Sequence, residues 1–270
     1  MVLKFGITGG TGSLGKKIIS SNKNIKFIKF SDDIRKKSKV FKWIKKNKFD
    51  AIIHLAAVVP IKTVNSNKKK AYDVNYIGTK NLVDAIKSTD LEWIFFSSTS
   101  HVYKSSRKKI SENFMKNPIS YYGKTKFLAE NYLINKLKKT NTRYCIGRIF
   151  STSNSNQKKN YLVPDLIKKI KNSKRKIVLK NLNHYRDFIS MDEISKIIFI
   201  LYKKKYKGII NIGRGKGIYL KDIAKVICNE YEKQCEFKDN LKPTYLISDN
   251  TKLKKYYSLK KLNNLQKLIF

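Results

Sequence analysis

A glycine-rich turn between a short buried strand and an amphipathic helix restricts the fold of this chain more than any other feature. Val2 to Thr8 has the apolar pattern of a buried strand, and Gly9 to Gly15 follows at once. Leu14 and Ile18 then begin the apolar face of a helix. Glycines let backbone approach a pyrophosphate, which the positive end of a helix attracts. The pattern predicts a dinucleotide site, and an ordinary glycine-rich turn is the alternative. The predicted contacts are Gly9, Gly12, Ser13, Leu14 and Gly15.

Two acidic residues end the second predicted strand, which runs from Ile25 to Phe30. A carboxylate at this distance from the glycines can accept hydrogen bonds from an adenosine ribose, so Asp32 and Asp33 favour NAD over NADP. Each aspartate alone could instead cap the helix that follows. Three nearby basic residues could still neutralise the 2′-phosphate of NADP: Lys29, Arg35 and Lys36.

Strands and helices of similar length alternate through the first 150 residues, which predicts an α/β fold, a doubly wound parallel sheet of the Rossmann type. The third strand, Phe49 to Ala57, ends in Leu55, Ala56 and Ala57, whose small side chains would let a flat cofactor lie close. After Phe150 the regular alternation of strands and helices ends. We therefore assign 1–150 and 186–205 to the cofactor domain, and 151–185 and 206–270, including the strand 208–213, to a smaller C-terminal α/β substrate lobe.

Tyr122 and Lys126 are four residues apart in a helical segment, so they lie on the same helix face. An ammonium near a phenol lowers the phenol's pKa, and such a phenol can exchange a proton with a sugar oxygen. A lysine-rich chain also produces this spacing by chance. Thr99 ends the strand that begins at Trp93, at the edge where open α/β sheets bind ligands, although a hydroxyl there can simply bond local backbone.

The composition is strongly basic, with 60 Lys and Arg residues against 19 Asp and Glu residues and a net charge of +41. Clustered basic residues would indicate nucleic-acid binding, but these are spread along the whole chain. A/T-rich coding would explain the same counts, so we expect no specific nucleic-acid partner. A basic surface would still attract an anionic substrate.

No apolar run is long enough to span a bilayer, and no signal peptide precedes the first strand. Cys145, Cys228 and Cys235 show neither metal-ligand nor disulfide spacing. We therefore expect a cytoplasmic protein without a metal site.

Six short motifs occur in a fixed order along the chain. They are Thr8 to Gly15 (TGGTGSLG), His54 to Ala57 (HLAA), Asn75 to Thr79 (NYIGT), Tyr122 with Lys126, Arg186 to Phe188 (RDF), and Asn211 to Gly213 (NIG). Together they resemble the extended short-chain dehydrogenases/reductases, the NAD-dependent epimerase/dehydratase group that modifies nucleotide sugars. The resemblance covers nearly the whole chain.

The resemblance implies that Tyr122 is the acid/base and that Lys126 holds the nicotinamide ribose and lowers the phenol's pKa. Thr99 would orient the reacting oxygen, and Arg186 would bind the substrate diphosphate, a surface salt bridge to Asp187 or Asp192 being its alternative. The resemblance also implies a homodimer through the helix of Tyr122 and its neighbour. Further cofactor contacts would come from Leu55, Ala56, Ala57 and Asn75, and further substrate contacts from Ser100 and Asn160.

Ser100 and His101 stand where the sugar 4,6-dehydratases of this family carry an Asp-Glu pair, so we disfavour a dehydratase. A 4-keto reductase and an epimerase both remain open, because the compact segment before His54 resembles the reductases while the RDF element resembles the epimerases. Two other classes are weighed against an enzyme. They are a cofactor-binding regulatory or scaffolding protein without turnover, and a nucleic-acid-binding module suggested by charge alone.

Overall fold

A six-stranded parallel sheet forms the centre of the protein in the computed structural model, which describes residues 2–59, 61–153, 157, 161–259 and 265–269. The strand order is β10-β5-β4-β3-β1-β2, and every neighbouring pair is parallel. The strands are β1 (Lys4–Thr8), β2 (Lys26–Phe30), β3 (Ala51–His54), β4 (Trp93–Thr99), β5 (Arg143–Ile149) and β10 (Gly208–Ile212). The order reverses between β1 and β3, which is where such sheets bind ligands.

Helices cover both faces of this sheet. The helices of this domain are α1 (Ser13–Ser21), α2 (Lys37–Lys46), α3 (Ile61–Ser66), α4 (Lys68–Tyr72), α5 (Gly78–Ile86), α6 (Tyr121–Leu137) and α8 (Met191–Lys203). A π-helical segment, Asp73–Ile77, joins α4 to α5, and a 3₁₀ turn, Ser100–Val102, follows β4. One core lies under α1 and α8, around Ile18 and Ile197, and the other lies under α2, α5 and α6, around Leu82 and Leu133. The predicted doubly wound α/β fold is confirmed.

A smaller lobe has a core of its own around Leu166, Ile170, Ile223 and Ile227. Its helices are α7 (Leu162–Lys171), α9 (Leu220–Glu230) and α11 (Gln266–Ile269). Helix α10 (Thr251–Lys254) instead packs against β10 and buries Leu253 in the core under α1 and α8, so the predicted assignment of this segment to the smaller lobe is wrong. The strands of the smaller lobe are β7 (Lys176–Lys180) with β12 (Gln234–Lys238), and β8 (Tyr185–Arg186) between β11 (Ile218–Tyr219) and β13 (Tyr245–Leu246). A short pair, β6 (Ser151–Ser153) with β9 (Phe188–Ser190), leads into it.

The predicted assignment of a strand to the smaller lobe is also wrong. The strand 208–213 was placed in the smaller lobe, but Gly208–Ile212 pairs in parallel with β5 and forms an edge of the central sheet. It follows α8, so β5, α8 and β10 make one more parallel crossover, and Ile210 and Ile212 are buried in the larger core. The other predicted boundaries stay a prediction. The turn expected at 151–159 begins with β6, and most of its remainder lies outside the described residues.

Candidate active site

The glycine turn packs directly against the end of β3. Gly9 has φ +70°, and a Cβ on it would lie 2.7 Å from the backbone nitrogen of Ala56. A Cβ on Gly15 would lie 2.5 Å from the carbonyl oxygen of Gly9. Gly12 caps α1 without a side-chain bond in the described part of the chain, so the first N–H groups of the helix face the turn. The geometry suits a pyrophosphate, and contacts of Gly9, Gly12, Ser13, Leu14 and Gly15 with the cofactor stay a prediction.

A cleft of about 330 Å³ continues from this turn along the end of β2. Asp32 lies on its wall with 56% of its side chain exposed, 4.0 Å from the ammonium of Lys39. Asp33 is engaged by Arg35, whose Nε and Nη2 lie 3.0 and 2.6 Å from the carboxylate oxygens. This pair holds the pKa of Asp33 at about 2. Asp32 is therefore the carboxylate that is open to a ribose.

The alternative of a helix cap is wrong for both aspartates. Helix α2 begins only at Lys37, with Lys36 as its cap. Asp33 instead accepts the backbone N–H of Arg35 at 3.0 Å and closes a turn. The same pair occupies the guanidinium of Arg35, one of three groups considered for a 2′-phosphate.

A chain of hydrogen bonds that sequence reasoning missed lies behind the cleft. His54 contacts Thr8 Oγ1 at 2.6 Å through Nδ1 and Thr79 Oγ1 at 2.9 Å through Nε2. Thr79 donates to the carbonyl of Asn75 at 2.6 Å, so it accepts from His54 Nε2 and leaves Nδ1 to accept from Thr8. Burial lowers the pKa of His54 well below its usual value, and the ring is neutral.

Asn75 forms hydrogen bonds through both the oxygen and the nitrogen of its side-chain amide. Its Nδ2 donates to Val58 O at 3.1 Å and to Thr125 Oγ1 at 3.0 Å, and its Oδ1 accepts Val58 N–H at 2.7 Å. The side chain thus holds the segment that contains Leu55, Ala56 and Ala57 against α6. A direct contact of Asn75 with a cofactor stays a prediction. The structural role of Asn75 depends on its contact with Thr125 of α6, 50 residues further along the chain, which the sequence does not reveal.

The predicted catalytic residues come together at the carboxyl end of β4. Ser120 caps α6 by accepting Gly123 N–H at 3.1 Å, and Tyr122 and Lys126 follow on the buried face of the helix. Lys126 is only 1% exposed, and its Nζ lies 4.0 Å from the ring centroid of Phe96 in β4. Thr99 is 6% exposed and accepts the N–H of His101 at 3.2 Å, so the bond to local backbone exists. Its hydroxyl donates to no described residue, and a contact of Thr99 with a substrate stays a prediction.

The expected lowering of the Tyr122 pKa is wrong for this structure. Burial raises the pKa of the Tyr122 phenol, and the phenol of Tyr161 acts in the same direction. Burial also lowers the pKa of Lys126 to about 7, against a smaller opposing effect of Glu130. Because Lys126 is only partly charged at neutral pH, it is a weak stabiliser of a phenolate. The site therefore holds Tyr122 in its proton-donating form.

A buried ion pair stabilises the packing around the carboxyl end of β4. Arg148 of β5 binds Glu130 of α6 through two nitrogens, at 3.0 Å from Nε and 2.6 Å from Nη2, and both side chains are 1% exposed. Ser98, the residue before Thr99, donates to the same carboxylate. Arg148 also donates to Tyr103 Oη at 2.9 Å. These bonds tie β4, β5 and α6 together, which sets the position of Thr99 relative to Tyr122.

Arg186 lies on β8, close enough to His101 for its charge to lower the pKa of that imidazole. Its guanidinium donates to the carbonyls of Tyr185 and Thr244 and to Thr244 Oγ1, at 2.8 to 3.0 Å. The alternative of a salt bridge is wrong: Asp187 accepts from Arg214, Gly215 and Ser248, and Asp192 pairs with Lys17.

Burial without a carboxylate partner in the described part of the chain lowers the pKa of Arg186 to about 10. The guanidinium still carries its charge at neutral pH, so it is suited to an anionic ligand.

Two other predicted substrate residues remain predictions. Ser100 begins the 3₁₀ turn and is 2% exposed. Asn160 lies outside the described residues. Tyr161, which sequence reasoning missed, caps α7 and lies close enough to Tyr122 to influence its pKa. A tyrosine before a proline-containing helix gives no sequence signal for this placement.

Comparison with known proteins identifies the family. Residues 6–213 match the profile of the NAD dependent epimerase/dehydratase family. The GDP-6-deoxy-D-talose 4-dehydrogenase of Aggregatibacter actinomycetemcomitans is 29% identical over 249 residues, 88% of this chain and 83% of that protein.

Two solved structures show the same fold. The UDP-glucose 4-epimerase of Thermus thermophilus, in complex with NAD, is 16% identical with a TM-score of 0.83, over 99% of this chain and 97% of that one. RMD from Pseudomonas aeruginosa, complexed with NADPH, is 16% identical with a TM-score of 0.87, over 99% and 96%.

The chain belongs to the NAD dependent epimerase/dehydratase family. This confirms the predicted family and an NAD(P) cofactor. Among the described residues, no helix is both long and apolar enough to cross a bilayer.

Proposed function

We propose that this protein transfers hydride at a ring carbon of a nucleotide-diphosphate sugar, with Tyr122 as the acid/base. The supporting observation is that Thr99 at the end of β4 and the buried pair Tyr122 and Lys126 on α6 belong to the same domain as the glycine turn after β1, whose backbone suits a pyrophosphate. The cofactor supplies or accepts the hydride when it is bound. Thr99 orients the substrate oxygen toward Tyr122, and Lys126 holds the nicotinamide ribose.

A 4-keto reductase is the first candidate reaction. Reduction of a ketone requires a proton for the developing alkoxide, and burial keeps the Tyr122 phenol protonated. In balanced form, ketone, NADH and H⁺ give alcohol and NAD⁺, and the proton reaches the substrate from Tyr122. The similarity to a nucleotide-sugar 4-dehydrogenase supports redox chemistry at C4.

A 4-epimerase is the second candidate, favoured by the RDF element and by the similarity to an epimerase structure. The charged guanidinium of Arg186 suits the diphosphate of either substrate. Asp32, open to the cleft, favours NAD over NADP because a carboxylate repels a 2′-phosphate. An inactive binding protein would have no use for an aligned phenol and hydroxyl.

We further propose a cytoplasmic homodimer that associates through the apolar face of α6, the helix of Tyr122, and its neighbour α5. All three cysteines are free, which suits a reducing compartment. Sedimentation at micromolar concentration tests the dimer, and a monomer under these conditions would refute it.

The deciding experiment has two arms. The first measures the cofactor released from the freshly purified protein: retained NAD supports the epimerase, because an epimerase recycles its cofactor within one turnover. The second follows oxidation of NADH by UDP-, GDP- or dTDP-linked 4-keto-6-deoxy sugars, which supports the reductase. Tyr122→Phe should reduce either activity at least about 100-fold and leave NADH affinity unchanged. Retained activity would remove Tyr122 from proton transfer, and a wild type without cofactor binding would refute the enzyme.

A further inference from the structure

His101 lies next to Tyr122 and has no part in the chemistry described so far. The centroids of the two rings are 6.1 Å apart, with the ring planes at 68°. His101 is also two residues after Thr99, in the 3₁₀ turn that Thr99 caps. It is therefore close to both residues that contact the reacting oxygen in the proposed function.

The backbone holds this arrangement rigidly. A Cβ on Gly123, the neighbour of Tyr122, would lie 2.2 Å from the carbonyl oxygen of His101, so α6 and the 3₁₀ turn are in direct contact. The same carbonyl accepts Ile119 N–H at 3.1 Å. The imidazole consequently has a set position relative to the phenol.

One nitrogen of the ring is engaged and the other is available. Nδ1 lies 3.0 Å from Ser120 Oγ, which also accepts Gly123 N–H as the cap of α6. Nε2 forms no hydrogen bond to any described residue, and the residue as a whole keeps some solvent exposure although protein encloses most of the ring. With Nδ1 held by Ser120, the unbonded Nε2 can form a hydrogen bond to a ligand.

The imidazole is neutral across the physiological range. Burial, with a further contribution from the charge of Arg186, lowers the pKa of His101 to about 3. A neutral ring either donates or accepts one hydrogen bond at Nε2, depending on its tautomer. It therefore suits a sugar hydroxyl, which does both, better than a phosphate.

We propose that His101 is a substrate-specificity residue, whose Nε2 hydrogen-bonds the sugar hydroxyl on the carbon next to the one that reacts. This inference rests on the proposed function. Under this proposal, Ser120 and Gly123 orient the imidazole of His101. The proposal also gives His101 a role beside Tyr122, since the reaction needs no second acid there.

Two variants separate a substrate contact from a packing role. The amide of glutamine reaches the position of Nε2, whereas the amide of asparagine reaches that of Nδ1. With the nucleotide sugar that the wild type turns over, His101→Asn should lower kcat/KM about tenfold through KM, because one neutral hydrogen bond made before and during reaction is lost. His101→Gln should stay within about threefold of the wild type. NADH affinity and Tm serve as controls for folding.

The matching substrate change completes the test. A deoxy analogue that lacks the neighbouring hydroxyl should lose about the same factor with the wild type and nothing further with His101→Asn. The reverse order, with asparagine active and glutamine impaired, would show that the Ser120 bond alone matters and would overturn the proposal. Equal activity of all three proteins would overturn it as well. A wild type that turns over no nucleotide sugar would instead refute the proposed function, and the assignment of His101 would fall with it.

Discussion

Replacement of Lys126 by methionine should make the protein inactive and more stable at the same time. Lys126 is 1% exposed, and burial lowers its pKa from 10.5 to about 7. Charging this side chain therefore costs more in the folded state than in the unfolded state. Methionine has similar length and shape and carries no charge, so Lys126→Met removes that cost together with the predicted contact to the nicotinamide ribose.

The size and sign of the gain follow from the two pKa values. Between pH 7 and 10.5 the unfolded state binds more protons than the folded state, so the stability of the wild type rises with pH in this window. The penalty removed by Lys126→Met is about 4 kcal/mol at pH 7 and about 2 kcal/mol at pH 9. It reaches its full value below pH 7 and vanishes above pH 10.5.

The assay is urea unfolding of the cofactor-free protein at pH 7 and pH 9, since urea leaves electrostatic effects unscreened. Lys124→Met, on the exposed side of the same helix turn, is the matched control and should shift the free energy of unfolding by less than about 0.5 kcal/mol at either pH. A variant at position 126 that is less stable than the wild type, or a gain that is equal at both pH values, would refute the argument.

Two further predictions concern the cofactor cleft. Gly15→Ala should weaken NADH binding at least about tenfold, because the new Cβ would lie 2.5 Å from the backbone oxygen of Gly9. Gly10→Ala is the control and should bind NADH normally, because its Cβ would meet only side-chain atoms, at 3.3 Å or more. An equal loss of NADH affinity in both variants would show that this backbone crowding does not matter. Asp32→Ala should weaken NAD binding more than NADP binding in fluorescence titrations, with Asp33→Ala as the comparison, and an unchanged NAD/NADP ratio for Asp32→Ala would mean that Asp32 does not contact the ribose.

The sequence by itself determined the central sheet up to β5, the glycine turn and the helix position of Tyr122 and Lys126. These features depend on local signals: the apolar period of a strand, the conformational freedom of Gly9, and the spacing of four residues on one helix face. The family followed from the order of its motifs along the chain. The edge strand β10 was misplaced because its partner, β5, is more than 50 residues earlier, and no local pattern records such pairing.

Only the tertiary structure decided the electrostatics of the site. Tyr122 keeps its proton and Lys126 is partly neutral because both are surrounded by packed protein, and desolvation outweighs the attraction that their spacing alone suggests. The anchoring of His101 by Ser120 is likewise a contact across a loop, invisible in the sequence. Spacing determines which groups can meet, but the pKa of a group depends on how much water and charge the whole fold leaves around it.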